Sequence, residues 1–119
     1  MTPFNIRPLI LLLKKNKEMI NELTRLIYEH SKFSTETFGS NRNPIGPLKH
    51  LLKEVQEVID EPSDSEEFAD CLLLFIDAIR LNGHTFEDII YAAFKKLEKN
   101  RNREWPPLNS EGYSEHKKS

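Results

Sequence analysis

The chain has 119 residues, enough for one domain with a modest core, and its formal net charge at pH 7 is −2. That balance argues against a nucleic-acid partner, because such proteins are normally basic. Hydrophobic residues make up 38% of the sequence, below the ~45–50% usual for soluble proteins, so we expect oligomerisation to complete the core. The apolar run 8–13 is shorter than the ~20 residues of a membrane span. With the lone Cys71, this predicts a reduced, cytoplasmic protein without a membrane partner.

Helical periodicity dominates the sequence and no strand alternation is visible, so we predict an all-α fold, an antiparallel bundle of four to five helices. The first helical segment is predicted from about Arg7 to Ser31, as one long helix or two short ones. A loop rich in Gly, Asn and Pro is predicted from Lys32 to Pro47. Loops of that length are often functional.

The next two helices are predicted over residues 47–60 and 63–81, separated by Pro62. A proline suits the first turn of the earlier one. Ser63 and Glu66 form a capping-box pattern at the start of the later one. The tight connection between them favours antiparallel neighbours.

A fourth helix is predicted to begin after Thr85, which forms a capping-box pattern with Asp88, and to end before Trp105. The helices make up a single domain over residues 1–106. The polar residues 107–119 are predicted to be a disordered tail.

Acidic residues are concentrated on the middle two helices. On a helical wheel, Glu54 and Glu57 line one edge of the second helix beside its apolar face. The third helix is apolar nearly all round and is predicted to be buried, yet Glu67, Asp70 and Asp77 share one narrow arc of it. Because buried acids are rarely tolerated without a partner, this arc indicates a functional site.

Folding the hairpin at Pro62 places Glu57 level with Glu67, and Glu54 level with Asp70. Carboxylates this close repel one another unless a cation lies among them. Hard divalent ions prefer oxygen ligands, and Mg²⁺ leaves coordination positions for water and phosphate oxygens. A solvated acidic face with salt bridges is the alternative interpretation, and it is stronger for Glu57 than for Asp70.

The fourth helix carries Lys96, Asn100 and Arg103 on a single stripe, at positions i, i+4 and i+7. Two cations and an amide in line suit phosphate oxygens. A basic helix end that complements the helix dipole is an equally good interpretation. Spacing alone does not choose between them.

Five segments together resemble a known family: KEVQEV, EEFADCLLLFIDA, NGHTFEDI, KKLEKNRNREWP and the loop STETFGSNRNPIGPLKHLLKE. The first four resemble the MazG-like all-α nucleoside triphosphate pyrophosphohydrolases. The loop is similar to a short phage-type subgroup, the dATP/dGTP pyrophosphohydrolases. The resemblance covers roughly residues 30–106.

The resemblance implies an activity and an assembly. The expected reaction is Mg²⁺-dependent hydrolysis of a (deoxy)nucleoside triphosphate, dGTP and/or dATP, to the monophosphate and pyrophosphate, with Mn²⁺ able to replace Mg²⁺. A homodimer or homotetramer is expected, in the host cytoplasm if a phage encodes the protein.

The resemblance also implies three groups of site residues. The expected metal ligands are Glu54, Glu57, Glu67 and Asp70, with Asp77 as a further acid that assists the metal or water. The expected phosphate-binding residues are Lys96, Asn100 and Arg103. The expected nucleobase-binding residues are Phe33, Phe38 and Arg42, although aromatic residues such as these two more often belong to a local core.

As a mechanism, we predict that Glu54 or Glu57 orients or deprotonates a water that attacks the α-phosphorus. No covalent nucleophile is expected, because Cys71 and the serines show no pairing with a base. Two other functions compete with this one. The protein could be a non-catalytic helical adaptor that binds a host protein, or a house-cleaning hydrolase of non-standard nucleotides.

Overall fold

The computed structural model describes residues 5–116, which form four helices and no strand, so the all-α prediction is confirmed. The helices are α1 (Arg7–Phe38), α2 (Gly46–Asp60), α3 (Ser65–Leu81) and α4 (Phe86–Arg101). The chain divides into two compact units, one up to Gly83 with α1 to α3 and one from His84 with α4. No helix among the described residues is long and apolar enough to cross a membrane.

Helix α1 is one continuous helix of 32 residues, so the predicted loop over 32–47 is wrong in its first half. The helix ends at Gly39, whose φ of 88° suits glycine and whose N–H donates to the carbonyl of Thr35 at 2.9 Å. Only residues 39–45 connect α1 to α2. The turn-forming residues begin at Gly39, and a buried contact of Ser34 with α3 favours the extra helical turns before it.

Helices α2 and α3 pack as the predicted antiparallel hairpin. Its turn differs in detail, because α3 is capped by Asp64, whose side chain accepts a hydrogen bond from the N–H of Glu66 at 2.9 Å. The predicted capping box with Ser63 as its first residue is therefore wrong by one position. Asp64 is as good a cap as serine, and its negative charge also interacts favourably with the positive N-terminal end of the helix dipole.

The predicted burial of α3 all round is wrong, because the buried apolar side chains of this helix are limited to Ile76, Ala78 and Ile79. Large apolar side chains in the first half of α3 are exposed, with Phe68 at 54% and Phe75 at 45%. The acid enclosed within α3 is Asp77, and Asp70 is exposed. A core completed by a second copy of the chain stays a prediction that this exposed apolar surface supports.

In the second unit, Thr85 and Asp88 form the predicted capping box of α4. After the helix, the indole N–H of Trp105 donates to the carbonyl of Asn100 at 2.8 Å. Residues Asn109–Tyr113 form a hydrogen-bonded turn, in the segment that was predicted to be a disordered tail. The last three residues of that predicted tail, 117–119, lie outside the described residues.

Candidate active site

The α2–α3 hairpin brings three of the predicted metal ligands together. One carboxylate oxygen from each of Glu54, Glu67 and Asp70 lies within 4.8 Å of the others. The two α3 residues are three positions apart and so share one face of the helix, which turns toward the acidic edge of α2. Glu57 joins the group as the neighbour that contributes to the raised pKa of both Glu54 and Glu67.

Electrostatic strain marks this carboxylate cluster, the group of Glu54, Glu57, Glu67 and Asp70. Hydrogen bonding of the protonated Glu67 carboxyl to Glu57, partial burial and the neighbouring negative charges raise the pKa of Glu67 to about 7. Partial burial, and then the hydrogen bond and charge of Glu57, raise the pKa of Glu54. Oxygen Oε2 of Glu67 is buried without a hydrogen-bond partner among the described residues. An orphaned carboxylate oxygen facing other acids fits a hard divalent cation.

Two neighbours of the carboxylate cluster affect its chemistry. The Nε2 atom of His50 lies 3.2 Å from a carboxylate oxygen of Glu54, so this histidine contacts the cluster from its exposed side. Burial and the surrounding carboxylates raise the pKa of the Cys71 thiol. A raised pKa disfavours the thiolate, in agreement with the prediction that Cys71 is no nucleophile.

A cavity of about 320 Å³ lies beside the carboxylate cluster within the first unit. Its walls combine two acids of the cluster with apolar, aromatic and basic side chains. The lining residues are His30, Phe38, Arg42, His50, Glu54, Asp70, Leu73, Leu74 and Asp77. The cavity therefore offers carboxylates at one part of its wall and apolar surface at another, as a site for a phosphorylated organic molecule requires.

Two of the three predicted nucleobase-binding residues, Phe38 and Arg42, line this cavity. The guanidinium of Arg42 lies over the ring of Phe38, 5.1 Å from its centroid. Phe33 is not among the lining residues and instead packs edge-on against Phe38, with 6.3 Å between ring centroids. Phe33 thus supports the cavity wall from behind.

Asp77, predicted to assist the metal, lies outside the carboxylate cluster and among basic and hydroxyl groups. Only 3% of the residue is exposed. Ser34 donates a short hydrogen bond to its carboxylate, and Arg42 and Arg80 donate at 3.1 and 3.2 Å. Burial raises the pKa of Asp77, but these hydrogen bonds outweigh that effect and hold the pKa below its ordinary value. Its predicted role at the metal stays a prediction without a supporting contact.

Three residues of this second group were missed by sequence reasoning: His30, Ser34 and Arg80. Arg80 follows Asp77 by three positions on α3, a spacing that indicates a helical ion pair and could have been noticed. His30 and Ser34 approach Asp77 from α1, and no local signal in the sequence marks that approach.

The predicted phosphate-binding residues lie in the second unit. Arg103 contacts the Oδ1 atom of Asn100 at 3.4 Å and the Nε2 atom of His116 at 3.1 Å. Lys96 is exposed on α4. Lys96 and Asn100 lie one turn apart on α4, whereas Arg103 follows the end of the helix, so the predicted single helical stripe is wrong for Arg103. Binding of phosphate by the three residues stays a prediction.

Comparison with solved structures identifies the fold as that of the MazG-like pyrophosphohydrolases. The similar structure is a MazG-like pyrophosphohydrolase of Cyanophage S-2L, bound to dGDP and three catalytic Mn²⁺ ions per active site. The two chains are 31% identical with a TM-score of 0.66, over 78% of this chain and 89% of the cyanophage chain.

The family model described as dATP/dGTP pyrophosphohydrolase matches residues 26–119, so the chain belongs to this family, as the sequence predicted. The family description and the cyanophage structure both support the predicted class of enzyme, a nucleoside triphosphate pyrophosphohydrolase. The match extends over residues 107–119, the segment predicted to be a tail.

A curated relative, the Eaa protein of Salmonella phage P22, is 45% identical over 87 residues. The aligned part makes up 73% of this chain but only 27% of the Eaa protein. The chain thus spans about a quarter of the length of that relative.

Proposed function

We propose that the protein hydrolyses a purine deoxynucleoside triphosphate, dGTP or dATP, to the monophosphate and pyrophosphate with Mg²⁺ as its cofactor. The observation that carries this proposal is the set of three carboxylate oxygens within 4.8 Å of one another beside a cavity of about 320 Å³. The family description and the dGDP bound by the cyanophage protein support the choice of substrate. The Mn²⁺ ions of that protein support a divalent cofactor, for which Mn²⁺ would substitute here.

In this proposal, Glu54, Glu57, Glu67 and Asp70 hold the divalent ions. When bound, such ions neutralise the negative charge that develops on the phosphoryl oxygens. Glu54 or Glu57 orients the attacking water and accepts its proton. Attack at the α-phosphorus then releases pyrophosphate.

The nucleobase is proposed to occupy the part of the cavity lined by Phe38, Leu73 and Leu74. These side chains offer flat or apolar surface, and Arg42 beside Phe38 adds hydrogen-bond donors for acceptor atoms on a purine. Phe33 fixes the orientation of Phe38 from outside the cavity.

Product analysis in ¹⁸O-labelled water tests the reaction. The purified protein is incubated with Mg²⁺ and each common deoxynucleoside triphosphate in turn, and the products are followed by ³¹P NMR. We expect monophosphate and pyrophosphate from dGTP or dATP, with the label in the monophosphate. Release of orthophosphate, or label in pyrophosphate, would show that water attacks a different phosphorus. Faster hydrolysis of a non-standard nucleotide such as dITP would favour the house-cleaning alternative.

A pair of variants tests whether the carboxylate cluster carries the activity. Asp70→Asn removes one charge from the cluster, and we expect it to lower the activity by about 100-fold, because a neutral amide oxygen replaces a charged metal ligand. Glu66→Gln is the matched control, since Glu66 is an exposed acid on the same helix outside the cluster. Calorimetry with Mn²⁺ distinguishes the enzyme from the adaptor alternative, because an adaptor should show no Mn²⁺ binding that depends on Asp70.

A further inference from the structure

The carboxylate of Asp77 uses both of its oxygen atoms to hold donors from other parts of the first unit. Oxygen Oδ2 accepts hydrogen bonds from Ser34 of α1 and from Arg42 of the α1–α2 loop. Oxygen Oδ1 accepts one from Arg80 and lies 3.4 Å from the Nε2 atom of His30. A buried carboxylate with this many charged and polar partners is strongly held in place.

This arrangement is unsuited to a metal ligand. A divalent ion at Asp77 would have to displace a donor from one of its oxygens and would lie beside the guanidinium groups of Arg42 and Arg80. Repulsion between like charges opposes that position. The carboxylate cluster, by contrast, contains acids whose oxygens lie within 4.8 Å of one another and a buried carboxylate oxygen without a hydrogen-bond partner among the described residues.

Asp77 instead attaches the loop over residues 39–45 to α3. Arg42 is the point of attachment, and its guanidinium also donates to Ser34 at 2.9 Å and covers the ring of Phe38. A second attachment lies one turn further along α3, where the side-chain amide of Asn82 donates to the carbonyl of Pro44 at 2.9 Å. Because Phe38 and Arg42 line the cavity, these contacts hold one of its walls in a fixed position.

We propose that Asp77 is a positioning residue that fixes Arg42 and the α1–α2 loop as a preformed wall of the nucleotide cavity, and that it does not bind the metal. The proposal rests on the proposed function for the identity of the ligand. The attachment of the loop does not depend on it. A preformed wall lowers the ordering cost of binding, so its loss weakens nucleotide binding before it affects the chemical step.

The first test compares Asp77→Asn with the unchanged protein in two assays. We expect KM for the triphosphate to rise by about tenfold or more with a smaller change in kcat. The Kd for Mn²⁺, measured by calorimetry without nucleotide, should stay within about twofold. A parallel loss of Mn²⁺ binding would make Asp77 a metal ligand and overturn the proposal. An unchanged KM in a folded variant would also overturn it.

Because Asp77→Asn leaves two arginines without their anionic partner, it could unfold the protein. In that case, a comparison of Arg42→Lys with Arg80→Lys tests the proposal. Both variants keep a positive charge near Asp77, but only Arg42 lines the cavity. Lysine cannot reproduce the stacked, planar geometry of Arg42 over Phe38. We expect KM to rise at least about fivefold in Arg42→Lys and to stay within about twofold in Arg80→Lys. Equal effects of the two variants on KM would refute a role for the loop wall.

Amide hydrogen exchange supplies a readout that does not require activity. In Arg42→Lys, the N–H of Gly46, which donates to the carbonyl of Asn43 at 3.0 Å, should exchange at least about fivefold faster than in Arg80→Lys. Equal exchange in both variants would refute the attachment itself. If the unchanged protein hydrolyses no nucleotide, the proposed function fails, and this exchange experiment still decides whether Asp77 and Arg42 hold the loop.

Discussion

The pKa of Glu67 links metal binding to pH. A carboxyl group with a pKa of about 7 must lose its proton before it can bind a divalent ion. At pH 6 only about a tenth of the Glu67 side chains would be ionised, and at pH 8 about nine tenths. If one proton is displaced for each ion bound, the apparent affinity for Mn²⁺ should rise by about tenfold between pH 6 and pH 8.

Calorimetry measures both parts of this prediction. Titrations of Mn²⁺ at pH 6, 7 and 8 give the change in affinity, and titrations in buffers of different ionisation enthalpy give the number of protons released. We expect release of about one proton per ion at pH 6 and only about a tenth of a proton at pH 8. Glu67→Gln should lose the pH dependence together with most of the affinity, whereas the control Glu66→Gln should keep both. Affinity that does not vary with pH, with no proton release, would refute the reasoning.

The same pKa predicts that the stability of the metal-free protein falls as the pH rises, whereas the affinity for Mn²⁺ rises. The pKa of Glu67 is raised above its ordinary value of 4.5 because ionisation is unfavourable beside Glu57. Its contribution to stability is therefore fully present below about pH 4.5 and is lost as the pH rises through about 7. Near neutral pH, added Mg²⁺ should restore the stability, which thermal unfolding with and without the ion would measure.

Three further predictions concern the fold. Ile76→Ala should lower the free energy of unfolding in urea by about 2–5 kcal/mol, because Ile76 is only 2% exposed and its truncation leaves a cavity. A decrease of less than about 1 kcal/mol would contradict this packing. Thr85→Ala should cost about 1 kcal/mol in the same assay, since it removes the cap of α4, and an unchanged midpoint would show that the capping box contributes nothing. Light scattering should give a mass of at least twice the 13.9 kDa of one chain. The reason is that large apolar side chains of α2 and α3, such as Leu52 and Phe68, are exposed in the single chain. A monomeric mass would refute an oligomeric core.

The hairpin and its carboxylate cluster could be predicted from the sequence because they depend on local signals. Pro62 marks the turn, and the helical period then fixes which residues of α2 and α3 are level with each other. Glu57 and Glu67 follow that register, since Glu57 is the main cause of the raised pKa of Glu67. The argument from the burial of Asp70 was wrong, although its position in the cluster is as expected.

The contacts of Asp77 could not be predicted in the same way. Its partners Ser34 and Arg42 lie 43 and 35 residues away in the chain, so only the packing of α1 against α3 brings them together. Those contacts also explain why α1 continues to Phe38, where residue types alone indicated a loop from Lys32. The sequence indicated that Asp77, an acid on an apolar helix, has a partner. It did not show that the partners are hydrogen-bond donors of other side chains.

The continuity of α1 has a mechanical consequence. The family match begins at residue 26, inside a helix that runs from Arg7 to Phe38 without a break. The residues before the match therefore extend the same helical rod by ~28 Å, and its other end, Phe38, belongs to the cavity wall. Inserting one residue between 7 and 25 would rotate anything attached at Arg7 by about 100°, whereas inserting seven would return it almost to its original side.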